Sequence, residues 1–110
     1  MPGTFRAGGN YIYDWGIGPT LTPVAVAGST AAEQSFTIPG LLPGDMVDVN
    51  CNSAQTAGIS IGNVRVSAAN TLTVEFANST AGSLTPVSAQ YFINIARPEV
   101  PAAALPTTAA

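Results

Sequence analysis

Charged side chains are scarce in this sequence, and two common kinds are missing. Only 8% of the 110 residues are charged, with three Arg, six Asp or Glu, and no Lys or His. A typical soluble domain is about 25% charged. The usual general bases and Schiff-base nucleophiles are therefore absent, and we predict that the protein is not an enzyme. Without clustered cations, binding to a nucleic-acid backbone is not expected either.

Metal-binding and reactive side chains are equally few. Cys51 is the only cysteine, which excludes an intramolecular disulfide, and one Cys without His cannot build the usual zinc site. Asp48 and Asn50 share one face of a predicted strand and could offer two oxygens to a hard cation. Solvation of that face explains both residues better, so we predict no metal and no cofactor. A weakly charged surface instead favours extensive contact with other protein.

Long apolar segments are also missing. No apolar run is long enough to cross a bilayer, and the first residues lack the apolar centre of a signal peptide. We therefore expect no membrane partner and no secretion. No apolar series with helical spacing is present, so the regular elements should be strands.

Residues 58–77 form the clearest pattern, because two alternating apolar runs are joined there by a polar turn. In the second run Leu72, Val74 and Phe76 alternate with polar residues, which predicts a strand with one buried face. Asn70 tolerates positive φ and is expected to close the turn. The stretch is therefore predicted to be a β-hairpin.

The first run of this hairpin changes its apolar parity near Gly62. Such a change indicates a β-bulge, which a glycine within a strand often marks. Closing the turn brings Val66 opposite Leu72. The same register predicts Arg65 and Glu75 as diagonal neighbours on the outer face, where an ion pair would add little stability.

Alternation also predicts strands at residues 24–26, 33–39, 45–51 and 90–97. Pro23 limits the first of these to an edge position. Pro–Gly pairs at 39–40 and 43–44 are strong turn signals. Six or seven short strands with regularly spaced turns indicate an all-β protein, either an antiparallel β-sandwich or a small barrel.

The two ends of the chain differ in composition from its centre. Residues 1–19 are rich in Gly with aromatic residues in the middle, and they predict an extended N-terminal arm. Residues 98–110 are rich in Pro and Ala, with too few large apolar groups to fold alone. We therefore expect an arm over 1–19, a β-sandwich domain over 20–97 and a C-terminal tail over 98–110. So short a domain has a modest core, which oligomerisation would supplement.

Three aromatic residues alternate in the arm, so an extended backbone would present their rings together on one face. Three interpretations are open. The rings could anchor the arm in a pocket of a neighbouring subunit, pack on the domain's own core, or stack on sugar rings. Our candidate partner-binding residues are Tyr11, Tyr13 and Trp15 in the arm and Pro98, Val100 and Leu105 in the tail.

Several spaced segments between residues 33 and 97 match a known group of proteins. They are the run Glu33–Asn50 with its Pro–Gly turns and Gly–Asp-led strand, the hairpin Gly62–Thr80 with its Asn-rich loop, and Thr85-Pro86 before Tyr91. In these segments the chain resembles small β-rich virion structural proteins of tailed phages and prophages. It has Asn63 and Asn70 where that pattern more often has Ala and Asp, and neither change alters the turn.

The resemblance implies a structural role on a virion. The leading hypothesis is a capsid decoration (cement) protein that binds the major capsid protein on the capsid exterior, after assembly in the host cytoplasm, and stabilises the shell. Such proteins are often trimers over junctions between capsid subunits, so a homo-oligomer, a trimer, is expected. The alternative is a head-fibre or tail-fibre component, or a glycan-binding module for host attachment. One short domain without internal repeats favours decoration over a fibre.

Overall fold

The computed structural model describes residues 11–98, with side chains from Asp14 to Arg97. All regular structure in this part of the chain is β-strand. The seven strands are β1 (Tyr11–Ile17), β2 (Thr20–Leu21), β3 (Thr30–Thr37), β4 (Met46–Cys51), β5 (Ile59–Ala68), β6 (Thr71–Asn78) and β7 (Ala89–Pro98). They form two antiparallel sheets packed face to face, which confirms the predicted all-β sandwich. The described part contains no helix that could span a membrane.

Strand β7 is the centre of the first sheet, which we call the four-stranded sheet. Strand β4 pairs with one edge of β7, from Met46 opposite Ala96 to Cys51 opposite Tyr91. The other edge pairs with β1 along the second half of β7 and with the short β2 along its first half. Because it is bonded on both edges, β7 holds the whole sheet together.

Strand β6 is the centre of the second sheet, which we call the three-stranded sheet. Strand β3 lies on one edge, paired from Thr30 opposite Asn78 to Thr37 opposite Thr71. Strand β5 lies on the other edge and forms the predicted hairpin with β6. The two sheets therefore share one plan, a fully paired central strand between two edges.

The core lies between the sheets and is built mainly from alternate residues of the two central strands. Six of these side chains are at most 1% exposed, namely Leu72, Val74 and Phe76 on β6 and Tyr91, Ile93 and Ile95 on β7. Strand β4 adds half-buried Val47, Val49 and Cys51 from its edge. The inward faces predicted for residues 45–51 and 72–76 are thus confirmed, since the period of two puts every second residue inside.

The β5–β6 hairpin agrees with the prediction in detail. Its register shifts between Ile61 and Val64, at the predicted bulge, and Val66 pairs with Leu72. Asn70 has a φ of 60° in the turn, as its position requires. Local sequence signals were sufficient here because the strand pairing, the bulge and the turn conformation involve residues close together in the chain. The turn is further held by hydrogen bonds between Asn70 and residues 38–41.

Residues 24–26 do not form the predicted edge strand. Val26 makes only an isolated bridge with Leu84. The side-chain amide of Gln34 accepts a hydrogen bond from the Val24 N–H and donates one to its carbonyl, both at 2.8 Å. A side chain thus supplies the partner that a strand would otherwise provide, so this segment follows the edge of β3 without joining it.

Part of the predicted N-terminal arm is a strand of the four-stranded sheet. Strand β1 pairs with β7 from Tyr11 opposite Pro98 to Ile17 opposite Ile93. Trp15 and Ile17 pack against the core. The sheet therefore begins before residue 20, because backbone pairing with β7 does not depend on the Gly-rich composition that suggested an arm.

Candidate functional site

Trp15 is the predicted partner-binding residue whose side chain the structure describes. It is half-buried on β1 and packs against the core between the sheets. The guanidinium of Arg97 lies over its ring, 5.3 Å from the centroid, which is a cation–π contact. Three interpretations were open for the aromatic residues of the arm. Trp15 packs on the core of its own domain, which is the second of them.

The other predicted partner-binding residues are described only by their backbone or not at all. Tyr11 and Tyr13 lie on β1, and the pairing register shifts between them. Pro98 pairs with Tyr11 at the last position of β7. Val100 and Leu105 lie outside the described residues. A partner-binding role for these residues stays a prediction.

The pairing of Tyr11 with Pro98 places the first and last described residues of the chain on adjacent strands, at one end of the four-stranded sheet. Residues 1–10 join the first residue of β1, and residues 99–110 follow the last residue of β7. Neighbouring strands lie about 5 Å apart. We call this end of the sandwich the terminal end.

A loop with two Pro–Gly turns, residues 38–45, is fastened to the terminal end. Gly40 and Gly44 each have a φ of 99°, a conformation that the second central residue of a type II turn requires and glycine adopts readily. Nε and Nη2 of Arg97 donate to the two carboxylate oxygens of Asp45, each at 2.8 Å. The same Nη2 also donates to the Gly40 carbonyl at 2.8 Å. Arg97 therefore fixes the loop to the end of β7.

Asp45 and Arg97 form a largely buried ion pair, with side chains 2% and 21% exposed. The hydrogen bonds from Arg97 hold the pKa of the Asp45 carboxyl below its usual value, against the opposing effect of burial. The Leu42 N–H donates to the same carboxylate at 2.9 Å and acts in the same direction. This carboxylate is therefore fully engaged in holding the loop.

Two large apolar side chains are exposed beside this loop. Leu42, between the two Pro–Gly turns, is 47% exposed, and Met46, at the start of β4, is 46% exposed. Met46 lies opposite Ala96, two positions before the end of β7. The terminal end thus combines exposed apolar groups with the starting points of both chain ends. These two exposed apolar side chains make the terminal end a candidate contact surface.

The outer face of the four-stranded sheet carries another exposed apolar side chain, Phe92. Its exposed fraction is 46%, and its register partner on β4 is Asn50. On the other flank a Cβ built at Gly18 would lie 2.7 Å from Nε2 of Gln90 and 3.1 Å from the Phe92 ring, so a side chain there would displace the Gln90 amide and shift the ring. We call the surface around this ring the Phe92 face, defined by Gly16, Gly18, Asn50, Gln90, Phe92 and Asn94.

The preceding residue, Tyr91, fixes this part of β7 from the inside. Its hydroxyl donates to the Val87 carbonyl at 2.7 Å and accepts from the Gln55 amide at 3.0 Å. Burial raises the pKa of the Tyr91 hydroxyl, which stays a neutral donor. Adjacent residues of a strand point to opposite faces. Anchoring Tyr91 inside therefore holds Phe92 outside.

The outer face of the three-stranded sheet is closed by its own side chains. Arg65 on β5 reaches across β6 to Glu33 on β3 with two hydrogen bonds, of 2.9 and 2.8 Å. Thr73 on β6 is 3% exposed, and its hydroxyl is within hydrogen-bond distance of those of Ser35 (3.0 Å) and Ser67 (2.7 Å). The polar groups of this face therefore bond to one another.

The register makes Arg65 and Glu75 diagonal neighbours, as predicted, but the ion pair expected between them does not form. Arg65 pairs with Glu33, because β3 occupies the far edge of β6 and Glu33 lies opposite Glu75 in the register. Glu75 turns to the bulge instead and accepts a hydrogen bond from the Asn63 N–H at 3.1 Å. Gly62 has no side chain to fill the space that this carboxylate takes. The sequence of the hairpin alone did not reveal that β3 would be the neighbour.

Within residues 11–98 no three of His, Cys, Asp and Glu come together in a way that could hold a metal. Cys51 is half-buried on β4, with its Sγ 3.8 Å from the Ser53 hydroxyl. The two surfaces that stand out are the terminal end and the Phe92 face.

Sequence reasoning missed most residues of these two surfaces. Leu42, Met46 and Asn94 were not singled out, because the exposure of a side chain depends on which other segments cover it. Two indications were available: the solvated face predicted for Asn50, and the alternation over residues 90–97, which puts Phe92 on the face opposite Tyr91 and Ile93. Comparisons of the chain with models of protein families, with curated proteins and with solved structures give no match.

Proposed function

We propose that this protein is a capsid decoration protein of a tailed phage, which binds the major capsid protein and stabilises the shell. The observation that supports this proposal is the terminal end. The first and last described residues lie there on adjacent strands, beside the exposed Leu42 and Met46. We infer that residues 1–10 and 99–110, which continue from these two strands in the sequence, contact capsid subunits.

Two segments that start from one place can reach two neighbouring capsid subunits at once. Ten extended residues span up to roughly 33 Å. Apolar contacts would supply the attraction, at about 25 cal/mol for each Å² buried before the costs of association. The low charge of the chain leaves few ionic groups to desolvate on binding. Trimer formation over a junction of capsid subunits, as the resemblance implies, would multiply these contacts.

The first test is the copy number of the chain in purified phage particles, measured against the major capsid protein by quantitative mass spectrometry. A ratio near one, or a simple fraction of one, is expected of a protein that covers the capsid lattice. A few copies in each particle would identify a fibre or tail component instead. Absence from the particle would discard the virion assignment altogether.

A second test separates the chain ends from the sandwich. A variant limited to residues 11–98 keeps every described strand, whereas a deletion up to residue 19 would remove β1 and uncover an edge of β7. We expect the 11–98 variant to give the circular dichroism spectrum of the full chain and to lose binding to capsids that lack the protein. Binding equal to that of the full chain would contradict the role assigned to the chain ends.

A further inference from the structure

The Phe92 face has the layout of a small-ligand site. An exposed aromatic ring lies on the central strand of the four-stranded sheet, at some distance from the terminal end. Six positions separate Phe92 from Pro98, which is about 20 Å along a strand. Gly16 and Gly18 leave a hollow on one flank of the ring, since neither carries a side chain. Asn50 lies on the other flank.

The polar groups around the ring are amides. Gln90 is held in place, because its Nε2 donates to the Gly18 carbonyl at 3.0 Å and its Oε1 accepts from Asn52 at 3.2 Å. The side chains of Asn50 and Asn94 are exposed and have no hydrogen bond to any described residue. Each amide can both donate and accept. Two such groups beside one aromatic ring are therefore free to bind a ligand.

A sugar ring has the chemistry that this arrangement fits. A hexopyranose presents an apolar C–H face, which stacks on an aromatic ring, and hydroxyls at its rim, which need partners that both donate and accept. A protein interface core is usually a broader apolar patch, whereas the neighbours of Phe92 here are amides and glycines. The match favours a saccharide over a second protein surface.

The carboxylates near the Phe92 face favour neutral sugars over acidic ones. Asp48 is the register partner of Asn94 on one side, and Asp14 lies one row further along the outer face. Neither arginine in the described part of the chain belongs to this face, since Arg65 binds Glu33 and Arg97 binds Asp45. Carboxylates without a nearby cation disfavour acidic sugars.

We propose that the Phe92 face is a binding site for neutral hexopyranose oligosaccharides, with Phe92 as the stacking platform and Asn50 and Asn94 as hydroxyl partners. This site goes beyond the proposed decoration role and uses different residues, so either proposal can fail without the other. It also moves the predicted glycan contact away from Trp15, whose ring already contacts Arg97 and the core.

The test is a titration of the full chain with hexasaccharides of the cello-, malto-, laminari- and N-acetylated chito- series, followed by calorimetry and by backbone amide NMR shifts. Sialyllactose and oligogalacturonate serve as acidic probes. We expect at least one neutral series to bind, with shifts centred on Phe92, Asn50 and Asn94, and the acidic probes not to bind. Phe92→Ala should weaken binding by about tenfold or more.

Two control variants are matched to this experiment. Met46→Ala removes an apolar side chain of equal exposure from the same sheet, and it should leave saccharide binding unchanged. Asn63→Ala removes an exposed amide from the three-stranded sheet and should also have no effect. Asn50→Ala, in contrast, should weaken binding.

Gly16→Leu tests the hollow by filling it. A Cβ at this position meets only the Ile93 carbonyl, at 3.7 Å, which is ordinary contact, so the fold should tolerate the change while binding is blocked. The proposal is overturned if no neutral hexasaccharide binds, or if Phe92→Ala and Gly16→Leu bind as well as the unchanged chain. It is also overturned if these variants change the self-association of the chain but leave its saccharide affinity unchanged, because the face would then be a protein contact.

Discussion

The outer faces of the two sheets differ although the sheets share one plan. On the three-stranded sheet the Arg65–Glu33 pair spans the central strand, and the hydroxyl of Thr73 bonds to its neighbours. On the four-stranded sheet Phe92 is exposed and the amide of Asn50 has no described partner. One face is closed by its own hydrogen bonds and the other is open.

This difference shows where a ligand can gain by binding. On the closed face a ligand would have to replace bonds that the side chains already make, so the net gain of each new hydrogen bond is small. On the open face the amides exchange only water for a ligand group. Each central strand buries three alternate side chains in the core, so the contrast between the two outer faces comes from their outward residues alone.

The largest expected effect on the free energy of unfolding comes from replacing a buried phenylalanine, compared with replacing an exposed one. Phe76 is fully buried between the sheets, whereas Phe92 is 46% exposed. Phe76→Ala should lower the free energy of unfolding by about 3–5 kcal/mol, because it leaves a cavity in the core. Phe92→Ala should change it by no more than about 0.5 kcal/mol. Urea unfolding followed by tryptophan fluorescence measures both, and equal losses would contradict the assignment of Phe92 to an open surface.

The next largest effect on stability is expected from breaking the buried ion pair rather than the exposed one. Arg97→Ala leaves the Asp45 carboxylate buried without its partner and should cost about 3 kcal/mol. Arg65→Ala breaks a pair whose side chains are 52% and 38% exposed, and the urea midpoint should scarcely move. Arg97→Lys, which keeps the charge and loses the paired hydrogen bonds, should lie between Arg97→Ala and the unchanged chain. A larger loss from Arg65→Ala than from Arg97→Ala would reverse the ranking.

A smaller effect tests the closure of the three-stranded sheet. Thr73→Val keeps the shape of the side chain but leaves the hydroxyls of Ser35 and Ser67 without their shared partner. We expect a loss of about 1 kcal/mol in the free energy of unfolding. Asn50→Ala on the open face is the matched comparison and should cost nothing measurable, since that amide has no described partner. Equal results for the two variants would remove the distinction between a closed and an open face.

The smallest expected effect is on the pH dependence of stability. Arg97 lowers the pKa of Asp45 in the folded state, so the unfolded chain takes up the proton first as the pH falls. The stabilisation is complete above the ordinary pKa of an aspartate and is lost as the pH falls through the lowered value. Stability should therefore fall less steeply with decreasing pH in Asp45→Asn than in the unchanged chain, in urea titrations between about pH 5 and pH 2.

The exposed pair supplies the control for this pH experiment. The pKa of Glu33 is also lowered by its hydrogen bonds to Arg65, but this pair is open to solvent. Glu33→Gln should leave the acid loss of stability nearly unchanged, because solvent and salt screen an exposed pair. An acid profile altered more by Glu33→Gln than by Asp45→Asn would show that the exposed pair is the stronger of the two.

Local patterns in the sequence predicted the hairpin and the alternation of the central strands. The bulge near Gly62, the turn at Asn70 and the inward side of Phe76 follow from residues that are neighbours in the chain. The same patterns did not predict the Gln34 contact with Val24, which joins residues ten positions apart through a side chain. A period-two pattern predicts which side of a strand is apolar, but it does not predict which segment pairs with that strand.

The candidate surfaces depended even more on tertiary structure. Sequence proposed Trp15 for partner binding, and the fold places its ring against the core and under Arg97. The Phe92 face combines residues from β1, β4 and β7, and the terminal end depends on the pairing of Tyr11 with Pro98. No local pattern contains these neighbours.

By itself the sequence determined that this protein is all-β with few charged residues, because strand periodicity, turn residues and composition are properties of short segments. The choice of a sandwich over a small barrel came from the structure. Only the tertiary structure decided which outer face is closed and which is open. Closure requires partners from different strands, such as Arg65 and Glu33, to meet across a third. That meeting is fixed by the order and register of the strands, which long-range packing selects.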